Sequence, residues 1–113
     1  VGHLIEVCNS SKVSAEINFN KIDLLPGTLD LIEEGIMPGG SKRNLEHAEK
    51  FTNFSSELTY NQKLIACDAQ TSGGLLITLP PKNSKKFLNE FGNDAKIIGK
   101  IVSKKNKSVI AKL

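Results

Sequence analysis

The 113-residue sequence predicts a single α+β domain, and three observations carry that prediction. Residues 13–19 alternate strictly between apolar and polar side chains, which is the pattern of a half-buried strand. Residues 82–91 space their apolar side chains for one face of a helix. Residues 95–103 and 108–113 have the composition of two strands around a lysine-rich turn, a terminal hairpin. Helices and strands mixed in this way favour α+β over a doubly wound parallel sheet.

Three further helices follow from apolar spacing and from residues that begin or end helices. A short amphipathic helix is predicted over residues 2–11. A second helix is predicted over residues 29–34, where Gly35 ends it. We expect Asn61 to cap a third helix over residues 62–66, because asparagine is a favoured residue at that position.

Apart from the strand at residues 13–19, the segments between these helices are predicted to be loops, with one further exception. Residues 36–44 are rich in Gly and Pro and are expected to form a loop. Residues 45–60 fit neither the helical nor the strand period, so we expect them to be mostly irregular. The exception is the apolar run at residues 75–79, which predicts a buried strand before the last helix.

Composition excludes several classes of protein. With 39% apolar and 24% charged residues and a mean hydropathy of −0.18, the chain predicts one soluble domain with a core of its own. It has no apolar run of the roughly 18 residues that a spanning helix needs, and we expect no signal peptide. Val1 is interpreted as a cut end. Cys8 and Cys67 lack metal-ligand spacing, so we expect no metal site, buried reduced thiols and a cytoplasmic protein.

Charge is distributed unevenly along the chain. Residues 1–81 carry six basic and ten acidic side chains, whereas residues 82–113 carry nine Lys and two acids. Such a basic segment could bind nucleic acid, but its Phe87 and Phe91 have helical core spacing, so we expect solvated lysines and no nucleic-acid partner. The only arginine, Arg43, follows a glycine-rich loop, where its planar fork of donors could hold a phosphate or a carboxylate.

Two loops carry the candidate phosphate or substrate site, because each has a glycine pair beside small hydroxyl residues. Paired glycines let backbone N–H groups turn toward an anion, and hydroxyls add donors. Neither loop matches a P-loop or a dinucleotide-binding motif. The first loop contributes Gly39, Gly40, Ser41, Arg43 and Asn44, and the second contributes Asp68, Gln70, Thr71, Ser72, Gly73 and Gly74.

A plainer explanation exists for each of these residues. Either glycine pair, taken alone, is explained by a tight turn that needs positive φ. Asp68 could ligate a metal or polarise a water, although residue type alone favours a role in starting the turn. His47 is expected to be exposed and His3 to be packed. No nucleophile and base are visible at dyad spacing, so no catalytic residue is assigned, and the domain is expected to complete a site rather than house one.

In order and spacing, several stretches resemble the C-terminal domain of selenophosphate synthetase, also called selenide, water dikinase. They are Leu24–Gly27, Gly35–Leu45 and Asp68–Ile77, with shorter likenesses at Gly2–Leu4 and Ile98–Val102. Thr71–Leu76 more loosely resembles a stretch of the wider superfamily of aminoimidazole ribonucleotide synthetases, thiamine monophosphate kinases and hydrogenase maturation factors. The resemblance implies a layered α/β/α domain with a mixed, partly ferredoxin-like sheet, which forms the C-terminal domain (residues 1–113) of a two-domain enzyme.

The resemblance also implies a reaction. Selenide, ATP and water would yield selenophosphate, AMP and orthophosphate, with Mg²⁺ as cofactor, in a homodimeric cytoplasmic enzyme. The metal-binding aspartates and the reactive Cys or selenocysteine would lie in the absent N-terminal domain, so this chain alone is expected to be inactive. Its loops would close over phosphates through backbone N–H groups, Arg43 and the hydroxyls of Ser41, Thr71 and Ser72. Ala69 stands where many family members have Pro, which would loosen the turn.

Two other functions remain open at this point. The chain could belong to a related superfamily kinase that acts on a different phosphoryl acceptor. It could also be a non-catalytic paralogue or a standalone domain that binds a partner or stabilises a dimer.

Overall fold

The computed structural model describes residues 1–113, apart from the side chain of residue 93. Its backbone forms five helices and four strands, with short 3-10 turns after β1 and after α5. In chain order these are α1 (Gly2–Ser10), β1 (Val13–Asn18), α2 (Thr28–Glu33), α3 (Ser41–Ala48), β2 (Thr52–Phe54), α4 (Tyr60–Ala66), α5 (Pro81–Phe91), β3 (Gly99–Ser103) and β4 (Val109–Lys112). Helices α1, α2, α4 and α5 confirm the four helices predicted from apolar spacing.

The four strands form one mixed sheet in the order β2-β4-β1-β3. Strand β1 pairs antiparallel with β3, where Ala15 lies opposite Ile101, and parallel with β4, where Ala15 lies opposite Val109. Strand β2 completes the sheet parallel to β4, with Thr52 opposite Val109. The predicted α+β class with a mixed sheet is therefore confirmed.

The hydrophobic core lies between the sheet and helices that pack against one another. Helix α1 contacts β1, β4 and α3, and α3 contacts α4. Among the described residues, fourteen apolar ones are buried in one cluster, of which Cys8, Ala48, Leu64 and Val109 are completely inaccessible. The strict alternation of β1 explains its central place, because Ala15 and Ile17 face this core while Glu16 bonds to lysines.

Gly99 is required where β3 approaches β1. A Cβ atom placed on Gly99 would lie 2.2 Å from the carbonyl oxygen of Glu16, far inside van der Waals contact. Only glycine allows the two strands to pair at this register.

The expectation that residues 45–60 are mostly irregular is wrong. They contain most of α3 and all of β2, and α3 begins at Ser41, inside the predicted loop. Helix α3 escaped detection because it buries a narrow stripe of small residues and one leucine, Ser41, Leu45 and Ala48, among charged neighbours.

The expected cap of α4 is also wrong. The hydroxyl of Thr59 accepts a bond from the Gln62 backbone N–H, and the Gln62 side chain accepts one from the Thr59 N–H. This reciprocal capping box satisfies two donors that Asn61, already inside the first turn, could not reach.

The predicted terminal hairpin does not form, because β1 lies between β3 and β4. The connection from β3 to β4 crosses the end of β1 and is fixed there by the buried Ser14. The Ser14 hydroxyl donates to the Lys107 carbonyl at 2.8 Å and accepts from the Lys105 N–H at 2.8 Å. A tertiary contact of this kind leaves no local signal in the sequence.

Residues 75–79 are not a strand in this structure, contrary to the prediction. They have no strand partner, and Leu75 is 90% exposed. Strands β1 and β4 each have a neighbouring strand on both sides, so the sheet has no vacant central position for residues 75–79. Helix α5 forms as predicted but buries none of its residues, so the expectation that Phe87 and Phe91 are core is wrong.

Of the remaining expectations, those for the cysteines and His47 are confirmed and that for His3 is wrong. Both cysteines are free and buried, as predicted. His47 is exposed as expected, whereas His3 is exposed rather than packed, because it lies on the outer side of α1. Within the described part of the chain, no helix is both long enough and apolar enough to span a bilayer.

Candidate phosphate-binding loops

The two predicted loops meet at the start of α3. Ser41 is the first residue of that helix and is 1% exposed. Its hydroxyl donates a hydrogen bond of 2.8 Å to Oδ1 of Asp68, although 27 residues separate the two. Since Ser41 belongs to the first loop and Asp68 to the second, this bond joins them.

A second contact on the same helix face holds the loops together. The side-chain amide of Asn44 donates to the carbonyl oxygen of Cys67 at 3.0 Å. Ser41 and Asn44 lie three residues apart, so both face the 67–68 segment. Beside them Gly40 lies close to Ala69, since a Cβ atom on Gly40 would be 3.7 Å from the Ala69 Cβ.

Asp68 also organises the second loop. Its Oδ2 accepts a hydrogen bond of 2.6 Å from the side-chain amide of Gln70. Gln70 in turn lies against Gly73, where an added Cβ would be 3.0 Å from the Gln70 Cβ. Both carboxylate oxygens of Asp68 are therefore used in contacts between and within the loops.

The remaining residues of the second loop are open to solvent. Thr71, Ser72, Gly73 and Gly74 are all exposed. Among the described residues, the Thr71 and Ser72 hydroxyls make no hydrogen bond with the protein, so their donors are available to a ligand.

Arg43 is not drawn into this cluster. Residues advance by about 100° per position around a helix, which places Arg43 roughly opposite the face shared by Ser41 and Asn44. Its side chain is exposed and has no acidic partner within the part of the chain that the structure describes. The structure thus gathers Gly40, Ser41, Asn44, Asp68 and Gln70, and leaves Arg43 at the rim of the first loop.

Neither glycine pair has the positive φ that a tight turn was expected to need; among the described glycines, positive φ occurs at Gly27, Gly35 and Gly92. The first pair does lie in a turn, which is closed by a 3.0 Å hydrogen bond from the Ser41 N–H to the Pro38 carbonyl. A Cβ atom on Gly39 or Gly74 would meet nothing within 4 Å. Neither backbone conformation nor packing demands glycine at these two positions, whereas close approach of a ligand to the backbone would.

The residues present do not fit a Mg²⁺ ion. Asp68 is the carboxylate of the cluster, and both of its oxygens already accept hydrogen bonds. No group of three or more His, Cys, Asp and Glu side chains gathers anywhere among the described residues. Magnesium favours carboxylate and phosphate oxygens together, so the chemistry offered here suits a phosphate group rather than the ion.

Burial disfavours a nucleophilic role for the two thiols. Burial raises the pKa of both Cys8 and Cys67, which lowers the thiolate fraction near neutral pH. Cys67 contributes to the site through its backbone carbonyl. Residue type could not have predicted this backbone contact, or the contact between Gly40 and Ala69.

Most of the basic residues near the C-terminus bond to the protein itself. Six of the nine lysines in residues 82–113 contact protein oxygens within the described structure. These lysines are Lys86, Lys96, Lys100, Lys104, Lys105 and Lys107.

Comparison with known proteins matches the chain to one family model and to several relatives that share one name. The family model described as "AIR synthase related protein, C-terminal domain" matches residues 1–112. The chain is 38% identical over 117 residues to a selenide, water dikinase from Haemophilus influenzae, in an alignment that covers 100% of this chain and 33% of that protein. It is 32% identical over 115 residues to a selenide, water dikinase from Aliarcobacter butzleri, covering 97% and 33%.

A third relative is more similar over a shorter stretch. It is a selenide, water dikinase from Haemophilus ducreyi, 44% identical over 87 residues, which covers 77% of this chain and 24% of that protein. The chain therefore spans between about a quarter and a third of the length of these relatives.

Proposed function

Since the chain belongs to the family of AIR synthase related C-terminal domains, we propose that it is the C-terminal domain of a selenide, water dikinase. Similarity to proteins of that name extends over the whole chain, which supports this choice within the family. The complete enzyme would convert selenide, ATP and water to selenophosphate, AMP and orthophosphate.

The part played by this chain in that reaction is to bind phosphate oxygens. The single observation that carries this proposal is the hydrogen bond from Ser41 to Asp68, because it brings two glycine-pair loops together. Phosphoryl transfer depends mainly on positioning and on neutralising charge, which backbone N–H groups and hydroxyls can supply. Thr71 and Ser72 offer such hydroxyls, and Gly39 and Gly74 let a ligand approach the backbone.

ATP and Mg²⁺ would be held mainly by the rest of the polypeptide. Since the described residues do not form a metal site, this chain alone is expected not to turn over. The complete enzyme would be a cytoplasmic homodimer, as the resemblance implies.

The experiment that tests this function uses the complete polypeptide that contains the chain. Purified protein is incubated with ATP and Mg²⁺, with and without selenide, and AMP formation is measured. Selenide-dependent AMP supports the proposal. Phosphorylation of thiamine monophosphate instead would assign the chain to a related kinase of the same superfamily, and no activity with either substrate would favour a non-catalytic paralogue.

Arg43 is proposed to contact a phosphate from the rim of the first loop. Its guanidinium is exposed and has no acidic partner among the described residues. Arg43→Lys keeps the charge but loses bidentate geometry, so activity of the complete enzyme should fall about tenfold with the fold unchanged. Lys50→Ala, at an exposed lysine beyond the other end of α3, is the matched control. Unchanged steady-state kinetics for Arg43→Lys would remove Arg43 from the site.

A further inference from the structure

We propose that Asp68 is a positioning residue, whose carboxylate holds the loop at residues 71–74 in the conformation that binds phosphate. This inference rests on the proposed phosphate-binding function. It assigns Asp68 a role through its neighbours, without direct contact to the ligand.

The geometry forms a continuous path from the helix to the loop. Ser41 is fixed in the buried face of α3 and donates to Oδ1 of Asp68. Oδ2 of Asp68 accepts from Gln70, and Gln70 lies against the backbone of Gly73. The position of Gly73 is thereby tied to α3, whereas Thr71 and Ser72 between them remain exposed.

Asp68 is unsuited to touch the phosphate itself. An ionised carboxylate offers only acceptors, and phosphate oxygens are acceptors as well, so direct contact would be repulsive. Its two oxygens are already occupied by the Ser41 hydroxyl and the Gln70 amide. If Asp68 did not position the loop, its negative charge would only weaken phosphate binding. If it does hold the loop in place, it strengthens phosphate binding through the loop.

Two substitutions separate these roles. Asp68→Ala removes the charge and both hydrogen bonds. Asp68→Asn removes the charge but keeps the shape, since its amide oxygen still accepts from Ser41. The Gln70 amide can turn round so that its oxygen accepts from the new amide nitrogen.

The experiment is a titration of the 113-residue chain with inorganic phosphate, followed through the backbone amide signals of residues 71–74 in NMR spectra. Asp68→Ala should weaken phosphate affinity about tenfold, the expected consequence of losing the hydrogen bonds that hold the loop in place. Asp68→Asn should bind at least as tightly as the unmodified chain. Glu90→Ala removes the same charge from the exposed α5 and should leave the affinity unchanged.

Ser41→Ala provides a second way to break the path without altering charge. It should weaken phosphate binding in the same direction, and it should add little to Asp68→Ala in the double variant, because Asp68→Ala already removes the contact that Ser41→Ala breaks. Far-UV circular dichroism of each variant establishes that the fold persists. If Asp68→Ala does not fold, Ser41→Ala alone carries the test.

Several outcomes would overturn the inference. Tighter or equal phosphate binding by Asp68→Ala would show a repulsive bystander, and an equal loss in Asp68→Asn would show that the charge itself is needed. The absence of any phosphate response in the unmodified chain would also contradict it. Selenide-dependent AMP formation by the complete polypeptide is measured separately, so failure of the proposed enzyme function is distinguished from failure of the positioning role.

Discussion

Two regions of this molecule carry similar apolar patterns but bury them very differently. The sheet body, residues 1–68 and 99–113, contains all fourteen buried apolar residues of the core cluster. The exposed segment, residues 69–98, contains no buried residue among those described, even though Leu75, Ile77 and Phe91 lie in it. Periodicity therefore predicts which elements form, whereas burial depends on a facing surface that local sequence does not specify.

The candidate phosphate site lies where these two regions meet. Ser41 and Asp68 belong to the sheet body, and Thr71 to Gly74 belong to the exposed segment. A rigid anchor beside an accessible loop is an arrangement suited to binding, because the anchor fixes the loop while the ligand still reaches it.

The largest expected contrast between the regions comes from truncating one leucine in each. Leu64 is completely inaccessible, so Leu64→Ala should lower the free energy of unfolding by about 3 kcal/mol through lost burial and a cavity. Leu75 is 90% exposed, so Leu75→Ala should change it by no more than about 0.5 kcal/mol. Urea denaturation measures both values. A comparable cost for Leu75→Ala would show that the exposed segment is packed in solution.

One glycine in each region allows the two regions to be compared by the stability cost of adding a Cβ atom to the backbone. Gly99→Ala would drive a Cβ into the Glu16 carbonyl, and should destabilise the fold by about 1–3 kcal/mol. Gly74→Ala meets open space at a φ outside the left-handed region, so stability should stay the same or rise by about 0.4–1 kcal/mol. Thermal denaturation checks both. Reduced phosphate binding by Gly74→Ala, with stability retained, would be the mark of a glycine kept for a ligand.

The elements that could be predicted are those whose signals lie within a short stretch of sequence. The elements that could not be predicted depend on contacts between residues far apart in the chain. Strand β1 and helix α5 were predicted because their signals repeat within ten residues or so. Helix α3 was missed because its buried face contains Ser41, which the sequence presents as a polar loop residue. The placement of β1 between β3 and β4 depends on contacts such as Ser14 with Lys107, 93 residues apart.

The candidate site likewise has features that the local sequence indicates and features that only the tertiary structure shows. Residue type alone identified both loops, since glycine pairs and hydroxyls are local features. That they meet through Ser41 and Asp68, and that Arg43 stands outside the cluster, depends on helical phase and tertiary packing. Neither could be read from the spacing of the motifs.

A smaller effect is expected at the helix that begins with a capping box. Thr59→Ala removes the hydroxyl that accepts from Gln62 in α4 of the sheet body, and should cost about 1 kcal/mol of unfolding free energy. Asn61→Ala, at the residue that sequence alone suggested as the cap, should cost little. Helix α5 of the exposed segment has no side-chain cap, so it offers no equivalent site. Equal costs at Thr59 and Asn61 would contradict the observed start of α4.

The smallest expected effect concerns pH and contrasts two glutamates. Hydrogen bonds from Lys105 and Lys100 to Glu16, in the sheet body, hold the pKa of that carboxyl below its ordinary value of 4.5. A pKa lowered on folding stabilises the native state above the ordinary value, and that contribution is lost as pH falls through the lowered one. Glu16→Gln should therefore flatten the decline of stability below about pH 4.5, measured as urea midpoints across the acid range. Glu90→Gln, which breaks an exposed 3.9 Å pair with Lys86 on α5, is the matched control. An unaltered acid profile in Glu16→Gln would mean that the sheet-body ion pairs contribute no more than those of the exposed segment.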